Sequence, residues 1–168
     1  MAARDVLKNL TLWVDGKGYA GQVQEVNPPK LTLKTEDFQG GGMPAPVKIT
    51  MSMEALEADF SLISYSRDLL ALFGVVEGSA VPLTIRGALE SFDGTTTPVV
   101  MNMRGKITEI DPGTWKPGDV PSLKATLAIS YFKQEHGGSV IHEIDVENMV
   151  AIINGTDTMA AMRSALGL

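Results

Sequence analysis

Cysteine is absent from this chain. Without thiols there is no disulfide framework and no thiolate-ligated zinc or iron–sulfur site, and the absence fits assembly in a reducing compartment. Long apolar runs are missing as well. The longest, such as Leu69 to Val76, are far too short to span a bilayer, so no membrane anchor is expected. Met1 to Leu10 carries Arg4, Asp5 and Lys8 and has no apolar h-region, so no signal peptide is predicted and the chain is expected to be soluble and intracellular when made. Clustered positive charge is also lacking. The net charge is −6, with Lys and Arg scattered singly, whereas a duplex-binding protein usually shows a basic patch. Stable nucleic-acid binding is not expected; contact with nucleic acid that must not stick stays open.

The 168 residues suit one domain with extended arms, and a hydrophobic share of 44% with mean hydropathy +0.08 supplies a sizeable core. Most of the sequence alternates with period two, the signature of strands. Leu10 to Val14 reads as a strand, Asp15-Gly16-Lys17-Gly18 as a hairpin turn, Tyr19 to Val26 as a second strand stopped by Asn27-Pro28-Pro29, and Lys30 to Phe38 as a third. Gln39 to Pro46 (QGGGMPAP) is a loop, because three glycines and two prolines exclude regular structure. Val47 to Ser64 reads as a long strand. Its apolar set moves from Val47, Ile49, Met51 and Met53 to Leu56, Ala58, Phe60 and Leu62, which predicts a bulge or bend near Glu54-Ala55.

Ser66 to Phe73 follows as a helix with Ser66 as cap, Asp68 in its first turn and Gly74 as terminator. Val81 to Phe92, Pro98 to Ile110, Leu123 to Gln134 and Val140 to Val146 read as four more strands, with turn signals at Asp93-Gly94 and His136-Gly137-Gly138. Asp111 to Pro121 is a Pro/Gly-rich connection. Thr158 to Leu166 reads as a short helix capped by Asp157 and ended by Gly167. Seven or eight strands and two short helices define a mainly β fold, a β-sandwich or partly open barrel with helices covering an edge or end. The ten N-terminal residues and the Gln39 to Pro46 loop resist compact packing and are candidates for reaching into neighbours.

Motifs of catalytic chemistry do not rise above background. Gly16-Lys17-Gly18-Tyr19-Ala20-Gly21 matches G-x-G-x-x-G, but a dinucleotide site needs a helix next, and alternation continues instead. The kinase set also needs its lysine, H-R-D and D-F-G motifs, which are missing. Asn9-Leu10-Thr11 and Asn154-Gly155-Thr156 match glycosylation acceptors, without meaning in the absence of secretion. His136 falls in a turn and reads as solvated. After His142, Glu143, Asp145 and Glu147 would line one face of a strand; the bland reading is a solvated or subunit-facing edge, the sharper one a hard-cation site. Glu57 and Asp59 also share a strand face. No catalytic residue, metal site or cofactor is assigned. Among nine methionines, Met51, Met53, Met101 and Met103 on presumed strands suit core packing, the remainder subunit contacts.

Several segments, taken in order, resemble the contractile-tail major tube family, which includes myophage tube proteins and R-type pyocin tubes. They begin with Val14-Asp15-Gly16, Tyr19-Ala20-Gly21, Pro29-Lys30-Leu31 and Lys34-Thr35-Glu36, and pass through the Gly41-Gly42-Met43 loop with Ala45-Pro46-Val47. The likeness is densest in Met103-Arg104-Gly105-Lys106, Glu109-Ile110-Asp111-Pro112-Gly113 and Trp115-Lys116-Pro117-Gly118. Ser130-Tyr131-Phe132-Lys133, Glu143-Ile144-Asp145, Asn148, Ile153-Asn154-Gly155 and the stretch from Met162-Arg163 to Leu166-Gly167-Leu168 complete it. No single fragment is diagnostic; the ordered set spans essentially the whole chain.

The resemblance implies a single tail tube domain over 1–168, a β-sandwich-like barrel with one flanking helix and a short C-terminal helix, an N-terminal arm over 1–9 and a protruding loop over 39–46. It implies a non-enzymatic subunit. Six copies would form a ring, each adding about four strands to an inner barrel, and the rings would stack into a hollow tube. Twenty-four strands at about 4.8 Å spacing and ~40° tilt give a backbone diameter of roughly 48 Å, which side chains narrow by about 10 Å, leaving a bore wider than a duplex. Implied partners are further copies, a sheath protein, a baseplate tube initiator, a tape measure protein and a terminator, with transient non-adhesive passage of DNA in a phage. The implied setting is a virion tail or tailocin particle assembled in the bacterial cytoplasm.

On this reading Gln39, Gly40, Gly41, Gly42, Met43, Pro44, Ala45 and Pro46 stack rings. Glu57, Asp59, Lys34 and Glu36 are candidates for the lumen, and Leu7, Leu10, Trp115, Glu143 and Asp145 for intersubunit contact. Two alternatives stand beside it: the tube (ring) protein of type VI secretion, and a small split-barrel enzyme binding a flavin or sugar, which would need a pocket and phosphate-binding basic residues.

Overall fold

The long alternating segments after residue 80 form the frame on which everything else hangs. In the computed structural model, which describes residues 2–74 and 76–168, the elements in chain order are β1 (Val6–Val14), β2 (Lys17–Gly18), β3 (Val23–Asn27), β4 (Leu33–Phe38), β5 (Val47–Met53), β6 (Leu56–Leu62), α1 (Arg67–Ala71), β7 (Val81–Glu90), β8 (Thr96–Asp111), β9 (Leu123–His136), β10 (Ser139–Asp145), β11 (Val150–Ile153), β12 (Thr156–Asp157) and α2 (Ala160–Leu166). The mainly β fold with two short helices agrees with the sequence reading.

β8 and β9 pair along nearly their whole length and belong to two layers at once. The edge of β9 opposite β8 carries β10 from Tyr131 onward but β6 over Leu123–Ile129. One layer therefore runs β12-β11-β10-β9-β8-β7-β1-β2, and a second runs β3-β6-β9-β8. The register breaks between Arg104 and Gly105 on β8, where the hairpin passes from one layer to the other, as bulges permit. Between the layers lies one core. Leu12, Val14, Leu83, Met103 and Phe132 come from the first layer, and Leu56, Ala58, Phe60, Leu62, Leu123 and Leu127 from the second or shared strands. The break at Glu54-Ala55 falls where the shift of apolar phase placed it, and every member of the Leu56, Ala58, Phe60, Leu62 set is buried.

Local chemistry fixes the joints. Asp15 and Gly16, at φ 50° and 78°, make a two-residue turn with Trp13 opposite Gly18, the left-handed pair that hairpins favour. The Ser66 hydroxyl accepts from the Leu69 N–H at 3.4 Å, capping α1, and also meets the Tyr19 hydroxyl at 3.2 Å. Leu69 and Tyr19 are both buried there. Lys17 pairs with Asp68; the ammonium holds the Asp68 carboxyl below its ordinary pKa, chiefly by hydrogen bonding.

Several boundaries differ from the sequence reading. The strand expected over Tyr19 to Val26 begins only at Val23, because 20–22 form a turn with Gly21 at φ 76°, and Lys17–Gly18, expected as turn, pairs as β2. β4 begins at Leu33 rather than Lys30, and β1 begins at Val6, so residues 6–9 of the expected arm are strand. The β11–β12 hairpin was missed, although Asn154-Gly155, at φ 49° and 81°, is a two-residue hairpin turn. α2 starts at Ala160 with Met159 at the cap position. Asp157 belongs to β12, yet its Oδ1 accepts from the Met159 N–H at 3.0 Å, so it still ties down the helix start.

Candidate assembly surfaces

The most exposed regular structure is the β4–β5 hairpin. It prolongs the β3–β6 pair: Asn27 sits opposite Asp59, and after a short break the Glu54 N–H donates to the Thr32 carbonyl before Leu33 and Met53 pair. Beyond that point every residue of β4 and all of β5 before Met53 are exposed. With about 3.3 Å per residue, six residues project roughly 20 Å.

This hairpin is amphipathic without a partner to bury its apolar side. Phe38 lies opposite Val47 and Glu36 opposite Ile49, so Phe38, Val47 and Ile49 share a face. Met51 joins them at the register shift between Lys34 and Thr35. Phe38 is 53% and Met51 60% exposed. The other face carries Thr35 beside Thr50 and the Asp37–Lys48 ion pair at 2.9 Å. An isolated two-stranded hairpin is marginal in water, and in the single chain these apolar side chains stand in solvent.

The loop from Gln39 to Pro46 closes the hairpin tip. Gln39 donates to the Met43 carbonyl at 3.0 Å, the Met43 N–H donates to the Gly40 carbonyl at 3.2 Å, and Gly42 takes φ 83°. Pro44, Ala45 and Pro46 lead into β5 with no regular structure, and Gly41 has open space around it. The loop is thus a folded tip on a projecting hairpin, where the sequence reading expected a protruding loop between two strands.

The four residues assigned to a lumen separate into two places. Glu57 and Asp59 lie together on β6, on the side away from the core. Asp59 accepts from Asn27 at 2.7 Å and lies 3.8 Å from Lys124. Lys34 and Glu36 lie on the projecting β4 instead, on the face shared with Phe38. By strand register, the outer face of the β3-β6-β9-β8 layer carries Glu25, Glu57, Asp59, Glu109 and Asp111 against Lys106 and Lys124. Among the described residues β3 has a partner on one side only, so this layer presents an open edge.

The intersubunit candidates also divide. Leu7 and Leu10 line an apolar groove of about 310 Å³ with Val26, Ile85, Leu89 and Met101. Trp115, 70% exposed, stands edge-on to Tyr65 at 5.2 Å. Glu143 and Asp145 are engaged within the chain: Glu143 accepts from the Tyr131 hydroxyl at 2.9 Å and Asp145 caps the Asn148 N–H at 3.2 Å. Burial first, and then the Glu143 carboxylate, raise the Tyr131 pKa, which keeps its hydroxyl a donor. Arg104 stacks over the same ring at 4.4 Å, a cation–π contact. β10 ends at Asp145, so Glu147 leaves the strand for a turn and the three carboxylates do not share one face. Among the described residues no group of three or more His, Asp or Glu stands close enough to hold a metal. The G-x-G-x-x-G run is a hairpin turn followed by β2 and a second turn, with no helix to receive a pyrophosphate.

The exposed apolar side of the β4–β5 hairpin and the absence of a metal cluster among the described residues suit a structural protein, and the comparisons with known proteins define the class. The sequence pattern of the family described as Phage tail tube protein FII matches residues 4–167, and the chain belongs to that family. It is 33% identical over 172 residues to the tail tube protein of Escherichia phage P2, covering all of both chains. To the major tail tube protein of Serratia phage KSP20 it is 34% identical over 177 residues, covering all of this chain and 99% of the relative. It is a structural subunit of a phage tail tube.

Proposed function

We propose that six copies form a ring, that rings stack into the inner tube of a contractile tail or phage-tail-like particle, and that the amphipathic β4–β5 hairpin with its 39–46 loop makes the contact between rings. The single observation that carries this reading is the unpartnered Phe38, Val47, Ile49 and Met51 face. Its burial at about 25 cal/mol per Å² is the largest gain open to this surface, and a second copy is always at hand. Within a ring, the open edge of β3 pairs with the β8 edge of the next copy beyond Ile107, where that edge is already bridged by Phe73 and bonded by the Gly74 N–H, so that the β3-β6-β9-β8 layers join into one inner wall.

The outer face of that layer then lines the bore, with Glu57 and Asp59 in it and carboxylates outnumbering ammonium groups. Duplex DNA carries one negative charge per about 1.7 Å of axis, so a basic wall would hold it and an acidic one lets it pass. A sheath outside, an initiator at the baseplate, a tape measure protein within and a terminator at the far end complete the particle, which assembles in the bacterial cytoplasm. The full-length identity to phage tail tube proteins favours this setting over a secretion machine.

The test is negative-stain microscopy and sedimentation of the concentrated full chain beside a variant lacking Gly41 and Gly42. The intact chain is expected to give hollow cylinders and the deletion shorter or no cylinders. Cylinders of undiminished length from the deletion would refute the stacking role of the loop.

A further inference from the structure

The groove beside β1 has the chemistry that the projecting hairpin lacks in its own chain. Its walls are Leu7, Leu10, Val26, Ile85, Leu89 and Met101. Part of its lining is Gly87, where a β-carbon would stand 3.1 Å from the Leu7 Cδ1, so the glycine lets Leu7 lie close over β7 and a larger side chain there would displace it. A well-packed interior rarely keeps such a hollow, and an apolar one of this size is costly to leave unfilled in water. Gln134 and His136 add polar groups to the lining.

We propose that this groove receives the Phe38, Val47, Ile49 and Met51 stripe from a second copy of the chain in the adjacent ring. The inference rests on the stacked-ring reading and names its receiving surface. Three observations select a second copy as occupant. First, the stripe and the groove are both apolar, both unfilled, and carried by the same chain. Second, β4 and β5 pack chiefly on each other, and although Val26 and Pro28 at the groove lead directly toward β4, the stripe remains exposed rather than folded back. Third, Glu36 and Lys34 are the charged groups that share the face with the stripe, and the Gln134 amide and His136 ring supply donors for Glu36. The contact joins two different surfaces of identical chains. Such heterologous contacts repeat along an axis and do not close into a dimer, which is what a stack of rings requires.

The absence of cysteine makes a direct test simple. Phe38→Cys and Leu7→Cys chains are purified separately, mixed, assembled and treated with a short bis-maleimide. A covalent dimer is expected in the assembled mixture and in neither variant alone. Gly87→Leu, which fills the groove, is expected to abolish cylinders longer than one ring while leaving the β-rich circular dichroism spectrum intact. Cylinders that form from the mixed variants without any covalent dimer would overturn the groove assignment alone, as would Gly87→Leu cylinders of normal length. A doubly substituted chain that cross-links only within itself would show the hairpin closing on its own groove, which also overturns the inference. A wild-type chain that never assembles overturns the ring reading, and this inference with it.

Discussion

A β-carbon on Gly105 would stand 2.0 Å from the carbonyl oxygen of Ala128. The two residues meet where the β8–β9 hairpin crosses between layers, just past the register break at Arg104. Backbone on both sides leaves nothing flexible to give. Gly105→Ala is therefore expected to cost about 3 kcal/mol or more, read from urea unfolding. Gly41→Ala, in open space on the loop, is expected to change stability by less than about 0.5 kcal/mol. Equal midpoints for the two variants would contradict this account of the crossing.

Phe60 and Leu127 are buried to 1% exposure in the shared core. Truncation removes their transfer energy and leaves cavities that rigid strands cannot close. Phe60→Ala and Leu127→Ala are each expected to destabilise the subunit by about 3–5 kcal/mol, with midpoints shifted and m-values unchanged.

The C-terminal helix should report on acid pH. Asp157 accepts from Arg163 at 2.5 Å, and Arg163 also donates to the Met149 carbonyl at 2.7 Å. The Arg163 hydrogen bond, then the Met159 N–H, hold the Asp157 carboxyl below its ordinary pKa. A depressed carboxyl pKa contributes stability that is complete above the unfolded value and is lost as pH falls through the folded one. α2 is thus expected to stay docked at neutral pH and to release below the ordinary aspartate range, followed by amide exchange at residues 160–168. Asp157→Asn should remove that acid transition; a transition unchanged in Asp157→Asn would contradict the assignment.

The proposed placement of Glu57 and Asp59 on an inner wall has a separable consequence. Glu57→Lys with Asp59→Lys is expected to leave assembly intact but to make cylinders retain duplex DNA at low salt, with release as salt rises. Co-sedimentation of labelled DNA measures it. Wild-type and substituted cylinders retaining DNA equally would remove both residues from the bore.

Much of the frame was legible in the sequence because its alternation has a local cause. Leu56, Ala58, Phe60 and Leu62 alternate and face one core, and the phase change at Glu54-Ala55 marks a real joint. Ser66 announces a cap and Asp15-Gly16 a turn through chemistry carried within a few residues. The β11–β12 hairpin was missed because its strands are four and two residues long, too short for a period to show, although Asn154-Gly155 carried the signal. The hairpin face was legible only in half. Val47, Ile49 and Met51 alternate as a buried face does, yet nothing among the described residues buries them, since alternation reports a two-sided strand and not what lies against either side. For the same reason Leu7 and Leu10 could be named only as candidates for intersubunit contact, while the groove they form with Ile85 and Met101 depends on pairing across distant strands.

The most direct test is the rotationally averaged cross-section of the assembled chain by cryo-electron microscopy. The expected result is a six-fold hollow ring with one continuous inner wall, the β3 edge of each copy hydrogen-bonded to the β8 edge of the next, and Glu57 and Asp59 on its inner face. Separate subunits without strand pairing between copies, or a wall lined by Lys and Arg, would contradict it.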